Sequence, residues 1–358
     1  MTLFDSPDFD GHEAVHAFSD EATGLRCIIA VHSTARGPAA GGCRMWPFPT
    51  SADALQDALR LSRAMSYKNA MADLDLGGGK AVIIGDSRTQ KSPALFEAFG
   101  RAVEAVGGAY WTAEDVGVSP TDLMHARRHT RFVAALEGHP AASGDPSPVT
   151  AEGVFRGISL CVRRALDRDL SGVTVAIQGV GHVGAYLAQK LSAAGARLVI
   201  TDVNREALAQ VAAQTGAMIV APEEIFDVEA DVFAPCALGG AISAETLPRL
   251  RARIIAGGAN NQLADPVIGQ TLFDLGLLYA PDYVINGGGI INVAGEIRAL
   301  DAGEAFDAAW VEAKLSRLML TLQEVLDRSI AERRPTHEVA GEMARDRIAR
   351  GRSVLAAQ

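Results

Sequence analysis

Lysine is scarce in this chain. Of 33 basic residues only Lys68, Lys80, Lys91, Lys190 and Lys314 are lysines, so arginine does most of the solubilising. Lysine titrates readily when desolvated and arginine does not. Lys68 and Lys80 stand in apolar, glycine-rich surroundings and are candidates for chemistry on that ground. Positive charge is short as well: 43 acidic residues give a net charge of −10, which argues against a nucleic acid or an anionic membrane as partner. No apolar run reaches the roughly 18 residues that a membrane span needs. Met1–Asp10 is acidic and lacks a signal-peptide core, which predicts a cytoplasmic protein. Cys27, Cys43, Cys161 and Cys236 are scattered with no CxxC. Two disulfides are arithmetically open, but single cysteines in apolar segments read as small buried hydrophobes, and no metal site is expected. His125 and His129 have a zinc-like spacing without the remaining ligands.

What is present suits two domains. The chain has 358 residues, 48% hydrophobic and 21% charged, enough for two separate cores. The first part alternates: a strand over 26–32, a helix over 51–67 from apolar residues at helical spacing, a strand over 80–85 and a strand over 109–113. Ser92-Pro93 opens a helix between the last two. The polar stretch Glu137–Pro148 reads as a linker. Beyond it, short strands recur at 173–178, 197–202, 217–220, 231–234 and 253–256 with helices between, the pattern of βαβ units on a parallel sheet. The fold class is α/β. The expected domains are 1–136 with a returning C-terminal helix at about 331–358, for substrate binding and oligomerisation, and 137–330, a Rossmann-type doubly wound dinucleotide domain.

Gly179-Val180-Gly181-His182-Val183-Gly184 is G-x-G-x-x-G, following a strand and opening a helix. Its glycines serve a tight turn, a close backbone approach to a pyrophosphate, and helix–strand packing. The helix start offers unpaired N–H groups to the phosphates. Asp202 ends the next strand at the distance expected for a carboxylate on the adenosine ribose. That carboxylate favours NAD over NADP, although Arg205 lies nearby. His182 either touches the pyrophosphate or is a solvated loop residue. Asp115 follows a strand at the edge where α/β sites form, or else caps the helix starting near Ser119. Lys68 and Lys80 are either exposed ends of elements or a substrate-carboxylate ligand and a base, with Asp115 as proton shuttle.

Several blocks together resemble the Glu/Leu/Phe/Val dehydrogenase family: Gly41-Gly42-Cys43-Arg44-Met45, Met65-Ser66-Tyr67-Lys68-Asn69, Gly77-Gly78-Gly79-Lys80-Ala81, Thr112-Ala113-Glu114-Asp115-Val116-Gly117, Pro148-Val149-Thr150-Ala151, Gly179–Gly184, Ala259-Asn260-Asn261-Gln262 and Pro281-Asp282-Tyr283-Val284-Ile285-Asn286. They keep the family order from about residue 25 to 295. The resemblance implies reversible NAD-dependent oxidative deamination of an L-amino acid, in a homo-oligomer of dimers or larger whose domains close on a cleft. By position, Lys68 would hold the substrate carboxylate, Lys80 would activate water, and Asp115 would move protons to and from the amine. Gly41 and Gly42 would present backbone to the substrate. Thr150, Asn260 and Asn261 would orient the nicotinamide and its ribose, and Asn286 would also bind the cofactor. Ala40, Ala113, Ile290 and Val293 would line the side-chain pocket. Glutamate-specific members carry a lysine where Ala40 stands, so a buried γ-carboxylate would be unpaired here at a cost of several kcal/mol. The resemblance therefore implies an apolar substrate of the leucine, valine or isoleucine type, with phenylalanine or another aromatic amino acid as the alternative. A methylene is worth only ~1–3 kcal/mol of discrimination. A remote alternative is a non-catalytic NAD-binding regulator. A 2-hydroxy-acid dehydrogenase would need a histidine base, and His125, His129, His139 and His337 lack that setting.

Overall fold

The computed structural model describes residues 3–356, with side chains through 351. The chain divides into two compact units. One holds residues up to Asp145 with Ile290–Glu312 and the segment from Ala344; the other holds Pro146–Gly289 and Ala313–Met343. The sequence-based boundaries differ from this division. Residues 137–145 and 290–312 pack with the first unit, and 331–343 with the second. Residues 1, 2, 357 and 358, which the expected ranges included, lie outside the described residues.

The first unit carries a five-stranded mixed sheet. Its strands are β1 (Ala14–Asp20), β2 (Leu25–Ser33), β3 (Ala39–Trp46), β4 (Gly77–Ile84) and β5 (Tyr110–Glu114), in the order β1-β2-β4-β3-β5. β3 runs parallel to both β4 and β5. Helix α1 (Ser51–Met71) starts at a capping box between Thr50 and Asp53, a device worth about 1 kcal/mol. It lies on the face of the sheet where Ala30 and Val82 meet Ala54, Ala58 and Leu59. Helix α2 (Pro93–Ala105) has Ser92 as N-cap and Pro93 in its first turn, as expected. Helix α3 (Pro120–Arg127) follows β5.

Two strands run through glycine where none was expected. Gly41 and Gly42 lie inside β3, and Gly77–Gly79 inside β4. The reason is close approach. A Cβ on Gly78 would fall 2.0 Å from the Ser66 backbone nitrogen of α1, so only a bare backbone lets the helix settle there.

The second unit opens with helix α4 (Ser147–Leu166), which takes up Ser147 and Pro148, the last residues of the expected linker. Its six-stranded parallel sheet comprises β6 (Thr174–Gln178), β7 (Arg197–Thr201), β8 (Met218–Ile219), β9 (Val232–Pro235), β10 (Ile254–Ile255) and β11 (Leu278–Tyr279). The order β11-β10-β9-β6-β7-β8 is the 3-2-1-4-5-6 arrangement of a Rossmann fold read from the far edge. Helices α5 (His182–Ala193), α6 (Arg205–Thr215) and α7 (Pro266–Asp274) join strands, and α8 (Asp282–Ile285), α9 (Gly288–Ala302), α10 (Ala308–Glu332) and α11 (Thr336–Ala356) complete the described chain. Phe226, Phe233, Ile255 and Leu272 are among the residues packing one core of this unit. No helix among the described residues is long and apolar enough to cross a membrane. The four cysteines are free, three of them buried.

Candidate active site

In the first unit the register of the strands builds the site. Ala40 of β3 pairs with Gly78 of β4 and Trp111 of β5, and Gly42 pairs with Ala113. Register partners in a sheet point to the same side, and side chains alternate. Ala40, Gly42, Arg44, Gly78, Lys80 and Ala113 therefore share one face, the face on which α1 rests. Ala40 and Ala113 are buried. Lys68 lies in the last turn of α1, two residues beyond the Ser66 that sits on Gly78.

Lys80 is 5% exposed, and its Nζ donates to Asp115 Oδ2 at 2.7 Å. A Cβ on Gly42 would come within 2.8 Å of the Asp115 Cβ, so the glycine leaves the space that this carboxylate needs. Burial alone would push the Asp115 carboxyl up. The Lys80 ammonium and the Arg44 guanidinium outweigh it and hold the group below the usual carboxylate range. Asp115 caps nothing: Ser119 is the N-cap of α3, in a capping box with Asp122. The sequence singled out Lys80 and Asp115 by their settings, and the fold brings them together across 35 positions. It did not single out Arg44 as a site residue. Arg44 Nε donates to the same Asp115 Oδ2 at 3.0 Å, and Nη1 donates to Asp57 of α1 at 2.9 Å. An arginine two residues past a glycine pair was the available signal.

Ile290 and Val293 stand at the start of α9 in the first unit. Val293 is buried and Ile290 half-buried. A fully buried Glu296 one turn later accepts from the Leu136 N–H at 2.8 Å and from the Ser143 N–H and hydroxyl at 3.0 and 2.7 Å.

In the second unit the strand order reverses between β6 and β9, where ligands bind in such sheets. The loops after these two strands touch: a Cβ on Gly179, whose φ is +96°, would meet Ala237 at 2.8 Å. Gly181 is the N-cap of α5 and supplies no side chain to the first-turn N–H groups. A Cβ there would meet nothing within 4 Å, whereas one on Gly184 would fall 2.0 Å from the Gly179 carbonyl. An uncapped helix start facing open space is a cradle for a diphosphate. Asp202 follows β7, and its carboxylate accepts from the Val180 and Asn204 N–H groups, each at 2.7 Å, which fixes it beside the glycine loop. Val180 and Gly184 are buried, Val183 is half-buried and His182 is exposed. Asn286 is buried, and its Nδ2 donates to Asn260 Oδ1 at 2.8 Å, while its Oδ1 is buried with no protein partner. Asn261 has φ +51°. Thr150 spends its hydroxyl on the Pro146 carbonyl of its own helix. These features fit a dinucleotide: an open anion cradle, a ribose carboxylate and an orphaned amide oxygen. Among the described residues no group of three or more His, Cys, Asp or Glu side chains is arranged to hold a metal ion.

Residues 12–132 match the dimerisation domain of Glu/Leu/Phe/Val dehydrogenases, and residues 200–353 match the glutamate/leucine/phenylalanine/valine dehydrogenase domain. The chain belongs to the Glu/Leu/Phe/Val dehydrogenase family. It is 44% identical to a leucine dehydrogenase of Geobacillus stearothermophilus over 97% of this chain and 94% of the relative. A valine dehydrogenase of Streptomyces coelicolor is 42% identical, over 98% of this chain and 96% of its own. A phenylalanine dehydrogenase of Bacillus thermotolerans is also 42% identical, over 98% and 92%. Among solved structures, L-tryptophan dehydrogenase from Nostoc punctiforme superposes with a TM-score of 0.82 at 37% identity, covering 95% of this chain and 97% of that one. The chain is thus an amino-acid dehydrogenase, an oxidoreductase acting on CH–NH2 donors.

Proposed function

We propose that this protein catalyses the reversible NAD-dependent oxidative deamination of an apolar L-amino acid to its 2-oxo acid and ammonia, with leucine, valine and isoleucine as first substrates. The observation that carries the reaction is the ion pair of a buried Lys80 with a half-buried Asp115, 2.7 Å apart, in a chain of this family. NAD, held by Gly179–Gly184, Asp202, Thr150, Asn260, Asn261 and Asn286, supplies the hydride acceptor. The chain's own groups do the rest. Lys68 pairs with the substrate carboxylate, and the Gly41 and Gly42 backbone lies along it. Asp115 takes a proton from the substrate amine as the Cα–H bond is oxidised to an imine. Lys80 Nζ first gives up its proton to solvent, then orients the water that attacks the imine carbon and accepts a proton from it. Asp115 returns a proton to the nitrogen as ammonia leaves, and the proton of the new hydroxyl passes to solvent as the 2-oxo acid forms.

Ala40, Ala113, Ile290 and Val293 line the side-chain pocket in this reading. None can pair a carboxylate, so a glutamate side chain would be desolvated there without compensation. Aromatic substrates are the second reading. The small Ala40 leaves room for them, and phenylalanine and tryptophan enzymes stand among the relatives. We place the enzyme in the cytoplasm as a homo-oligomer assembled through the first unit, supported by the dimerisation-domain match over 12–132.

The test is kcat/KM for leucine, valine, isoleucine, phenylalanine, tryptophan and glutamate, with NAD and with NADP. Highest values for the branched aliphatics with NAD support the proposal. A preference of more than about a hundredfold for an aromatic substrate, beyond what one methylene can give, selects the second reading. Highest activity with glutamate contradicts both.

A further inference from the structure

The Lys80–Asp115 pair carries a second cation that the proposed reaction leaves unused. Lys80 Nζ and Arg44 Nε both donate to Asp115 Oδ2, at 2.7 and 3.0 Å. The other arm of Arg44 is not idle: Nη1 donates to Asp57 Oδ2 at 2.9 Å, while Asp57 Oδ1 accepts from Arg60 at 2.9 Å. A chain of alternating charge, Lys80–Asp115–Arg44–Asp57, thus runs from β4 past β3 to α1. Its members from Asp115 on are shielded, with side chains 25% exposed at Asp115, 23% at Arg44 and 12% at Asp57. Only arginine suits the middle place. Its planar fork grips two carboxylates at a fixed angle, which a single ammonium cannot do.

Resting on the assignment of Lys80 and Asp115 as the reacting pair, we propose that Arg44, itself held by Asp57, is a positioning residue for the reaction. It fixes the Asp115 carboxylate in the one orientation that reaches both Lys80 and the substrate amine. Asp115 follows the last residue of β5, where the chain turns toward Gly117, and a carboxylate at a strand end has rotamers that face solvent. Arg44 removes them. It also keeps the group ionised: burial raises the carboxyl, and Lys80 and Arg44 are the two charges that reverse this. The other titratable groups around it are Glu114 on β5, Asp57 and Arg60 on α1, Cys43 on β3 and Asp122 on α3. Asp122 is bonded to Lys91. Cys43 is fully buried, which pushes its thiol well up and leaves it neutral.

The experiment compares Arg44→Met, Arg44→Lys and Asp57→Asn with the parent in the pH profile of kcat/KM, in KM for the amino acid, in NADH affinity and in thermal unfolding. For Arg44→Met the acidic limb moves up by about one pH unit and kcat falls about tenfold, with KM and NADH affinity within about twofold. Asp57→Asn moves the limb the same way, with about a threefold loss of kcat. Arg44→Lys does not restore the parent profile. A profile for Arg44→Met that superposes on the parent's overturns the proposal, and so does full rescue by Arg44→Lys. Should Arg44→Met fail to fold, Asp57→Asn decides alone, and an unmoved limb overturns the idea. If the parent oxidises no amino acid, it is the function that fails. Arg44 is then judged by the carboxyl 13C titration of Asp115, assigned with Asp115→Asn, which shifts upward in Asp57→Asn if the proposal holds and stays put if it does not.

Discussion

The two candidate sites, one in each unit, are made in opposite ways. In the first unit the groups proposed to react and their neighbours are charged side chains paired with one another: Lys80 on Asp115, Arg44 on Asp115, Asp57 on Arg44. In the second unit the proposed cofactor cradle consists largely of what is missing, namely the cap that Gly181 does not provide and the Cβ that would obstruct an approach to it. The difference follows from the ligands. A proton shuttle needs a base of fixed position and charge, which costs desolvation and is offset by neighbouring ions. A diphosphate brings its own charge and is met by backbone N–H groups. Substitutions should therefore separate chemistry from cofactor binding.

The largest separation is expected from Lys80→Ala: kcat falls by about a thousandfold, while NADH affinity in a fluorescence titration stays within about twofold of the parent. A comparable loss of NADH affinity would break the contrast. Within the glycine loop, Gly184→Ala puts a Cβ 2.0 Å from the Gly179 carbonyl. It should lower stability by about 3 kcal/mol in denaturant unfolding and weaken NADH. Gly181→Ala should do the reverse, leaving unfolding unchanged and weakening NADH by about tenfold, or about 1.4 kcal/mol, since its Cβ meets only the space a diphosphate would fill. Equal effects of the two alanines on unfolding would mean that the open space at Gly181 is not a binding cradle.

A smaller effect tests the support beneath the first unit. His32 is 4% exposed and its Nδ1 lies 2.7 Å from Ser66 Oγ of α1, with the His12 ring 4.9 Å away. Burial first, then the neighbouring His12, push its imidazole down to about 4. The folded protein thus holds a neutral ring that the unfolded chain protonates near 6.5. Between these values the unfolded state binds more protons, so stability is full above about 6.5 and falls as pH drops toward 4. The contribution, of order 2 kcal/mol, should appear as a slope in denaturant midpoints. His32→Asn should flatten it; an unchanged slope would place the acid sensitivity elsewhere.

What the sequence made legible follows the same division. The nucleotide loop is contiguous, so Gly179 to Gly184 could be read in place, and Asp202 lay at a fixed distance along the chain. Helix α1 was visible from Ala54, Leu55, Ala58 and Leu59. β3 was not, because Ala39–Ala-Gly-Gly has little strand propensity and its glycines are demanded by neighbours, not by a turn. Ile290 and Val293 were assigned to the nucleotide domain because α9 follows it in the chain, yet it packs with the first unit. The Arg44 bridge links positions 13 and 71 residues away, a distance over which no local pattern carries a signal. Lys80 and Asp115 were found singly; their pairing had to come from the fold.

The central claim is an oxidative deamination run by the Lys80–Asp115 pair with NAD. It is tested most directly by measuring ammonia and NADH together during turnover of leucine by the purified protein. The account predicts that they form in equal amounts, and that both vanish in Asp115→Asn although NADH still binds. NADH formed without ammonia, or turnover undiminished in Asp115→Asn, would contradict it.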